Sequence, residues 1–138
     1  MSNIFEQVLE CNDKFYSALS DGNLELMASV WLHDDRVKCV HPGWDMVKGW
    51  DAVKESWMNI FSTGGPLEVR TSNVELEVCG EFAVITCVEH ISHKVGSKIR
   101  TGFALATNFF ELNGDKWLMI HHHASPVPGR GLNDENIQ

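Results

Sequence analysis

From Leu67 onward the chain consists of four long segments, 67–79, 81–93, 98–112 and 115–124, each rich in β-branched and aromatic residues. Such composition favours pleated strands. The connections between them, CGEF, KVGSK and LNGDK, are short and carry glycine, as hairpin turns do. Asn113-Gly114 in the last of these is the most diagnostic. Four strands joined in this way make an antiparallel meander, and one face of it has to be covered.

The preceding half of the chain supplies the cover. Ile4, Val8, Cys11, Phe15, Ala18 and Leu19 fall on one stripe of a helix. SDGN breaks that helix, and Asn23 is placed to cap a shorter one that turns Leu24, Met27, Val30 and Trp31 inward. RVKCVH alternates like a short strand, and HPGW turns at Pro42 and Gly43. Gly49 to Phe61 is helical again, with Trp50, Val53, Trp57, Ile60 and Phe61 on one face. STGGP ends it. Helices followed by a meander predict an α+β fold with the helices on one sheet face. Long strands curl at bulges and glycines, and a curled sheet closed by helices encloses a pocket. Residues 1–127 are expected to form one domain, with an irregular tail over 128–138.

With 138 residues the chain is long enough to bury a core. The net charge is -8, with no basic cluster, which argues against nucleic acid and against an anionic membrane surface as partners. No apolar run approaches a membrane span, and MSNIFEQVLECND lacks the build of a signal peptide. Cys11, Cys39, Cys79 and Cys87 are scattered and read as free thiols, so a cytoplasmic location is expected.

The triple histidine 121–123 is the most conspicuous candidate for chemistry. Strict alternation along a strand sends Trp117, Met119, His121 and His123 to one face, and Leu118, Ile120 and His122 to the other. On 98–112, Gly102, Ala104, Ala106 and Asn108 make a small-residue row that suits a cavity wall. On 81–93, Glu89 shares a face with Ala83, Ile85 and Cys87, where a carboxylate is costly unless paired or protonated. His121 and His123 are therefore expected to line the cavity, together with Asn108, Trp57 and, near its mouth, Trp44. His41 and Glu89 are the candidate acid–base residues, with Asn108 and His123 as donors to an enolate oxygen. Two other readings of the histidines stay open. They are ordinary structural residues, or His41, His121 and His123, with or without Glu89, hold a metal. No closed zinc pattern, phosphate loop or dinucleotide fingerprint is present, so neither metal nor cofactor is expected.

Three segments, VWLHDDRVKCVHPGW, GWDAVKESW and ATNFFELNGDKWLMIHHHASP, resemble the NTF2-like superfamily and, within it, the SnoaL-like branch, which includes ketosteroid-isomerase-like proteins. The W-x-x-x-H-x-H ending, Trp117, His121 and His123 here, is similar to the association domain of calcium/calmodulin-dependent protein kinase II. The resemblance spans residues 4 to about 127. It implies a bent antiparallel sheet wrapped with three helices around a deep pocket, and a homodimer formed through the outer sheet face, to which Val84, Val88 and His122 would belong. It also implies one of two functions. The first is a small apolar organic ligand bound in the pocket, with proton-transfer isomerase or cyclase chemistry. The second is a non-catalytic assembly module.

Overall fold

The computed structural model describes residues 3–64 and 67–128. Helix α1 runs Ile4–Asp21 and opens with a reciprocal cap, in which the Asn3 side chain accepts from the Glu6 N–H at 2.8 Å and Glu6 accepts from the Asn3 N–H. Gly22 ends it at φ 62°, a left-handed conformation that glycine adopts without strain. Helix α2, Leu24–Val30, starts at Asn23, whose side chain accepts from the Leu26 N–H. Two short strands follow, β1 (Lys38–Val40) and β2 (Val47–Lys48), and then α3, Trp50–Thr63. The meander comprises β3 (Leu67–Cys79), β4 (Phe82–Val95), β5 (Lys98–Asn113) and β6 (Lys116–Pro126). Short β2 has no counterpart in the sequence reading. The expected tail lies outside the described residues except for Pro128.

The six strands form one sheet in the order β2-β1-β6-β5-β4-β3. Every pairing is antiparallel except β1 with β6, where Cys39 sits opposite His122. The three helices cover one face, as an α+β fold requires. The core lies between them and the sheet. Val8 and Phe15 of α1, Met27 of α2, and Val53 and Trp57 of α3 meet Ile85, Ala104, Ala106, Phe110 and Met119. The small-residue row on β5 faces inward, as does the row that ends at Glu89 on β4. All four cysteines are free thiols.

Alternation fails at one place on β6. Phe110 pairs with Met119, but Phe109 pairs with His121, so Ile120 is an extra residue opposite that step. A bulge of one residue reverses the parity of everything beyond it. Trp117 and Met119 are buried before the bulge, and His122 and Ala124 after it. His122 therefore points inward, while His121 and His123 stand on the outer face. This is opposite to the expectation from unbroken alternation.

The location of the core sets a stability prediction. Phe110 is fully buried and Ile99 is 64% exposed. Phe110→Ala is expected to cost about 3–5 kcal/mol in a urea titration, and Ile99→Ala less than about 0.5 kcal/mol.

Candidate functional site

A cavity of about 270 Å³ opens between α1, α3 and the inner sheet face. Its wall is largely apolar, with Leu19, Ile60, Leu67, Val69 and Ile91 contributing. Four expected or newly placed aromatic rings line it: His41, Trp44, Trp57 and His122. Trp57 is buried and meets the His41 ring edge-on, with centroids 4.5 Å apart. Trp44 is nearly half exposed and also meets the His41 ring edge-on, with centroids 4.7 Å apart, so it stands at the rim. Glu89 is the carboxylate of this cavity. A larger cleft of about 390 Å³ adjoins it and shares Leu19, Ile60 and Leu67, but its wall includes none of His41, Glu89 and His122.

Behind the cavity wall runs a connected chain of buried polar groups. Tyr16 of α1 donates its hydroxyl proton to Glu89 Oε2 at 2.7 Å. Asn108 Nδ2 donates both to the Tyr16 oxygen, at 3.2 Å, and to Asn12 Oδ1, at 2.9 Å. The remaining atom of that amide, Oδ1, lies 2.6 Å from His122 Nδ1. A carbonyl oxygen only accepts, so His122 carries its proton on Nδ1. Its Nε2 then presents a lone pair, 4.0 Å from Glu89 Oε2. His41 is fixed in a comparable way. The Ser56 hydroxyl donates to the Val53 carbonyl at 2.7 Å, so its oxygen accepts from His41 Nε2 at 2.9 Å.

Burial tunes each group. It pushes Glu89 up to about 6, only partly opposed by the hydrogen bond from Tyr16. It drives His41 down to about 4 and His122 down to about 3, so both imidazoles are neutral at pH 7. Burial also raises Tyr16, Cys39 and Cys87, which keeps all three protonated. At neutral pH the site holds one carboxylate, ionised but basic for its kind, and two neutral imidazoles.

The structure brings together His41, Glu89, Trp44 and Trp57 from the expected set. Asn108 is buried beside them but does not line the cavity. Both of its N–H groups and its carbonyl are engaged internally, so it has no donor left for a ligand oxygen. His121 and His123 lie on the opposite face of the sheet, with their rings 6.4 Å apart and Phe109 edge-on to His121. The bulge at Ile120 puts them there. It likewise separates His41 from His121 and His123, so the three-histidine metal set does not form. Among the described residues no three His, Cys, Asp or Glu side chains converge to hold a metal ion.

Four residues of the site escaped the sequence reading: Asn12, Tyr16, Ser56 and His122. Asn12 and Tyr16 had a signal. They are four apart and border the apolar stripe of α1, so they share a helix face pointing at the sheet. Ser56 borders the α3 stripe in the same manner. His122 had none, because nothing in KWLMIHHHASP announces a bulge.

These shifts have opposite consequences for stability. The histidines bind protons more readily unfolded, near 6.5, than folded, so their contribution is lost as pH falls from about 6.5 through about 4 for His41 and about 3 for His122. Glu89 is the reverse. Its contribution is full below its ordinary 4.5 and is lost as pH rises through about 6, a cost of about 2 kcal/mol at neutral pH. Glu89→Gln is therefore expected to raise the urea midpoint at pH 7.5 and to change it little at pH 4.5. An unchanged or lower midpoint at pH 7.5 would show that the buried carboxylate carries no such cost.

Comparison with known proteins matches this architecture. A SnoaL-like domain family matches residues 8–129. A protein from Streptomyces avermitilis, described as a proposed dehydratase of the NTF2-like family, is 30% identical with a TM-score of 0.85, over 91% of this chain and 97% of that one. A protein from Thiobacillus denitrificans, described as a proposed calcium/calmodulin-dependent protein kinase type II association domain, is 29% identical with a TM-score of 0.77, over 85% of this chain and 92% of that one. The F-box protein SKIP8 of Arabidopsis thaliana is 28% identical over 118 residues, 86% of this chain and 48% of the relative. The chain spans less than half the length of the curated relatives it matches. With its three helices laid over a bulged six-stranded sheet and a family match across most of its length, the chain belongs to the SnoaL-like family of NTF2-like proteins.

Proposed function

We propose that the protein binds a small apolar carbonyl compound in the cavity and moves a proton on it, with Glu89 as the general base. One observation carries this reading. A carboxylate raised to about 6 opens onto an apolar cavity while Tyr16 fixes its other environment through a 2.7 Å hydrogen bond. A base with a pKa just below the working pH is both ionised and able to accept a proton from carbon alpha to a carbonyl. Once protonated, Glu89 returns that proton to another carbon or to a leaving oxygen. Isomerisation, cyclisation and dehydration share this step, and similarity to the Streptomyces protein described as a proposed dehydratase is in keeping with it. His41, held by Ser56 with its Nδ1 unprotonated, is the second acid–base candidate.

A minimal test follows deuterium exchange at the alpha carbons of small aryl and alkyl ketones in D₂O by NMR. Exchange is expected to exceed the buffer rate, to rise with pH through about 6 as Glu89 ionises, and to fall about 10²-fold or more in Glu89→Gln. Exchange no faster than buffer across the ketones, or unchanged in Glu89→Gln, would sink the assignment.

A second reading is an assembly module that pairs through the outer sheet face, in keeping with similarity to a proposed association domain. Its support is the exposure there of Phe82, Leu105 and Phe109, beside half-buried Val84 and Val88. His122, expected on that face, is not part of it. A homodimer through this face is compatible with either function. Leu105→Glu is expected to convert a dimer to monomer in sedimentation at micromolar concentration, and a wild-type monomer there would count against pairing. The four free thiols are in keeping with a reducing, cytoplasmic setting.

A further inference from the structure

The charge in the cavity is one-sided. Its described wall contains no lysine or arginine, and Glu89 is its single carboxylate. The polar groups behind it offer no compensation. Both donors of Asn108 are occupied, the Tyr16 proton is directed at Glu89, and the proton on His122 is directed at Asn108. An incoming anion would have to lose its water next to a buried carboxylate with no cation to meet it. The space is also small, below the usual range of about 300–1,000 Å³ for ligand pockets.

We infer that Glu89 sets the ligand class: the cavity admits compact uncharged molecules and rejects carboxylates and phosphates. This rests on the cavity being the ligand site and deepens that reading by naming which ligands it takes. Charge selection here is a property of one side chain, so it is separable from shape. It is also separable from the overall negative charge of the protein.

Within the cavity the discrimination depends on pH through Glu89; the overall charge of the chain also falls toward its isoelectric point of about 5.2, and Glu89→Gln at pH 7.5 separates the two effects. The titratable groups facing it are Tyr16 from α1, Cys39 from β1, Cys87 from its own strand, His122 from β6 and, across the cavity, His41. Tyr16, Cys39 and Cys87 are held protonated and the two histidines neutral, so between pH 7.5 and 5 the charge that changes in this set is that of Glu89.

Phenylacetone and phenylacetate have the same number of non-hydrogen atoms and nearly the same shape, and a carboxylic acid of ordinary pKa, about 4.3, is mostly ionised at pH 5 and fully so at pH 7.5. Their dissociation constants for the untagged chain, measured by ligand-observed NMR, test the inference. At pH 7.5 the ketone is expected to bind at least about tenfold more tightly. The gap is expected to close to within about threefold at pH 5, and also at pH 7.5 in Glu89→Gln, which leaves the net charge of the rest of the protein untouched. Phenylacetate binding as well as the ketone at pH 7.5 would overturn the inference, as would a gap that survives both pH 5 and Glu89→Gln, or no binding of either compound. If the gap behaves as expected while ketone exchange is no faster than buffer, the cavity selects by charge and the proton-transfer reading alone fails.

Discussion

The hydrogen bond from Tyr16 to Glu89 ties the two halves of the molecule together at their most expensive point. A carboxylate buried at the centre of a sheet face is unfavourable unless something donates to it. The donor comes from α1, 73 residues earlier in the chain. Its hydroxyl can serve Glu89 because Asn108 donates to the same oxygen, and Asn108 is oriented in turn by Asn12 and His122. Helix α1 is thus positioned on the sheet by polar geometry as well as by the apolar contacts of Val8 and Phe15. In a low-dielectric interior a connected network of this kind favours one arrangement, since any slip of the helix leaves several buried groups unpaired.

The bulge at Ile120 makes that network possible. With regular alternation, His121 would fill the inner position opposite Asn108, and His122 would stand on the outer face. The extra residue advances β6 by one, so His122 lands opposite Asn108 and beside Cys39 of β1. One inserted residue therefore decides which of three identical side chains is a buried hydrogen-bond donor and which two face outward. It also keeps Trp117 and Met119 in the core on the near side of the bulge. The histidines outside have a different role from the one inside, although the sequence presents them as a single tract.

Most of the architecture was legible because it rests on local signals. The stripes of α1 and α3, the cap at Asn23, and the four strands with their Gly-bearing turns follow from periodicity and turn chemistry. The inward rows of β4 and β5 were legible for the same reason, and they place Glu89 correctly. The remainder depends on contacts far apart in sequence. Parity on β6 is not legible in the sequence, because a bulge without glycine or proline leaves no local mark. Asn108 reads as a ligand donor because its inward direction is legible in the strand pattern, whereas the partners that saturate it, on α1 and β6, are not. Trp44 and Trp57 needed only the turn and the helix face that carry them.

The buried groups also show why stability and chemistry pull apart here. An apolar residue in place of Glu89 would complete the core between Leu19, Val69 and Ile91, and Tyr16 would lose its acceptor in the process. Keeping the carboxylate costs folding free energy at neutral pH, and the fold limits that cost with a single hydrogen bond rather than a salt bridge. A lysine or arginine partner would have lowered the Glu89 pKa and removed most of the penalty. It would also have made the carboxylate a poor base and given the cavity a cation to attract anions. The neutral partners, Tyr16, Asn108 and a histidine held uncharged by burial, leave the charge of Glu89 uncompensated within the cavity. Burial raises the Glu89 pKa and Tyr16 opposes it only in part; with no cationic partner to cancel the rise, the pH-dependent stability and the proposed selection against anionic ligands both follow.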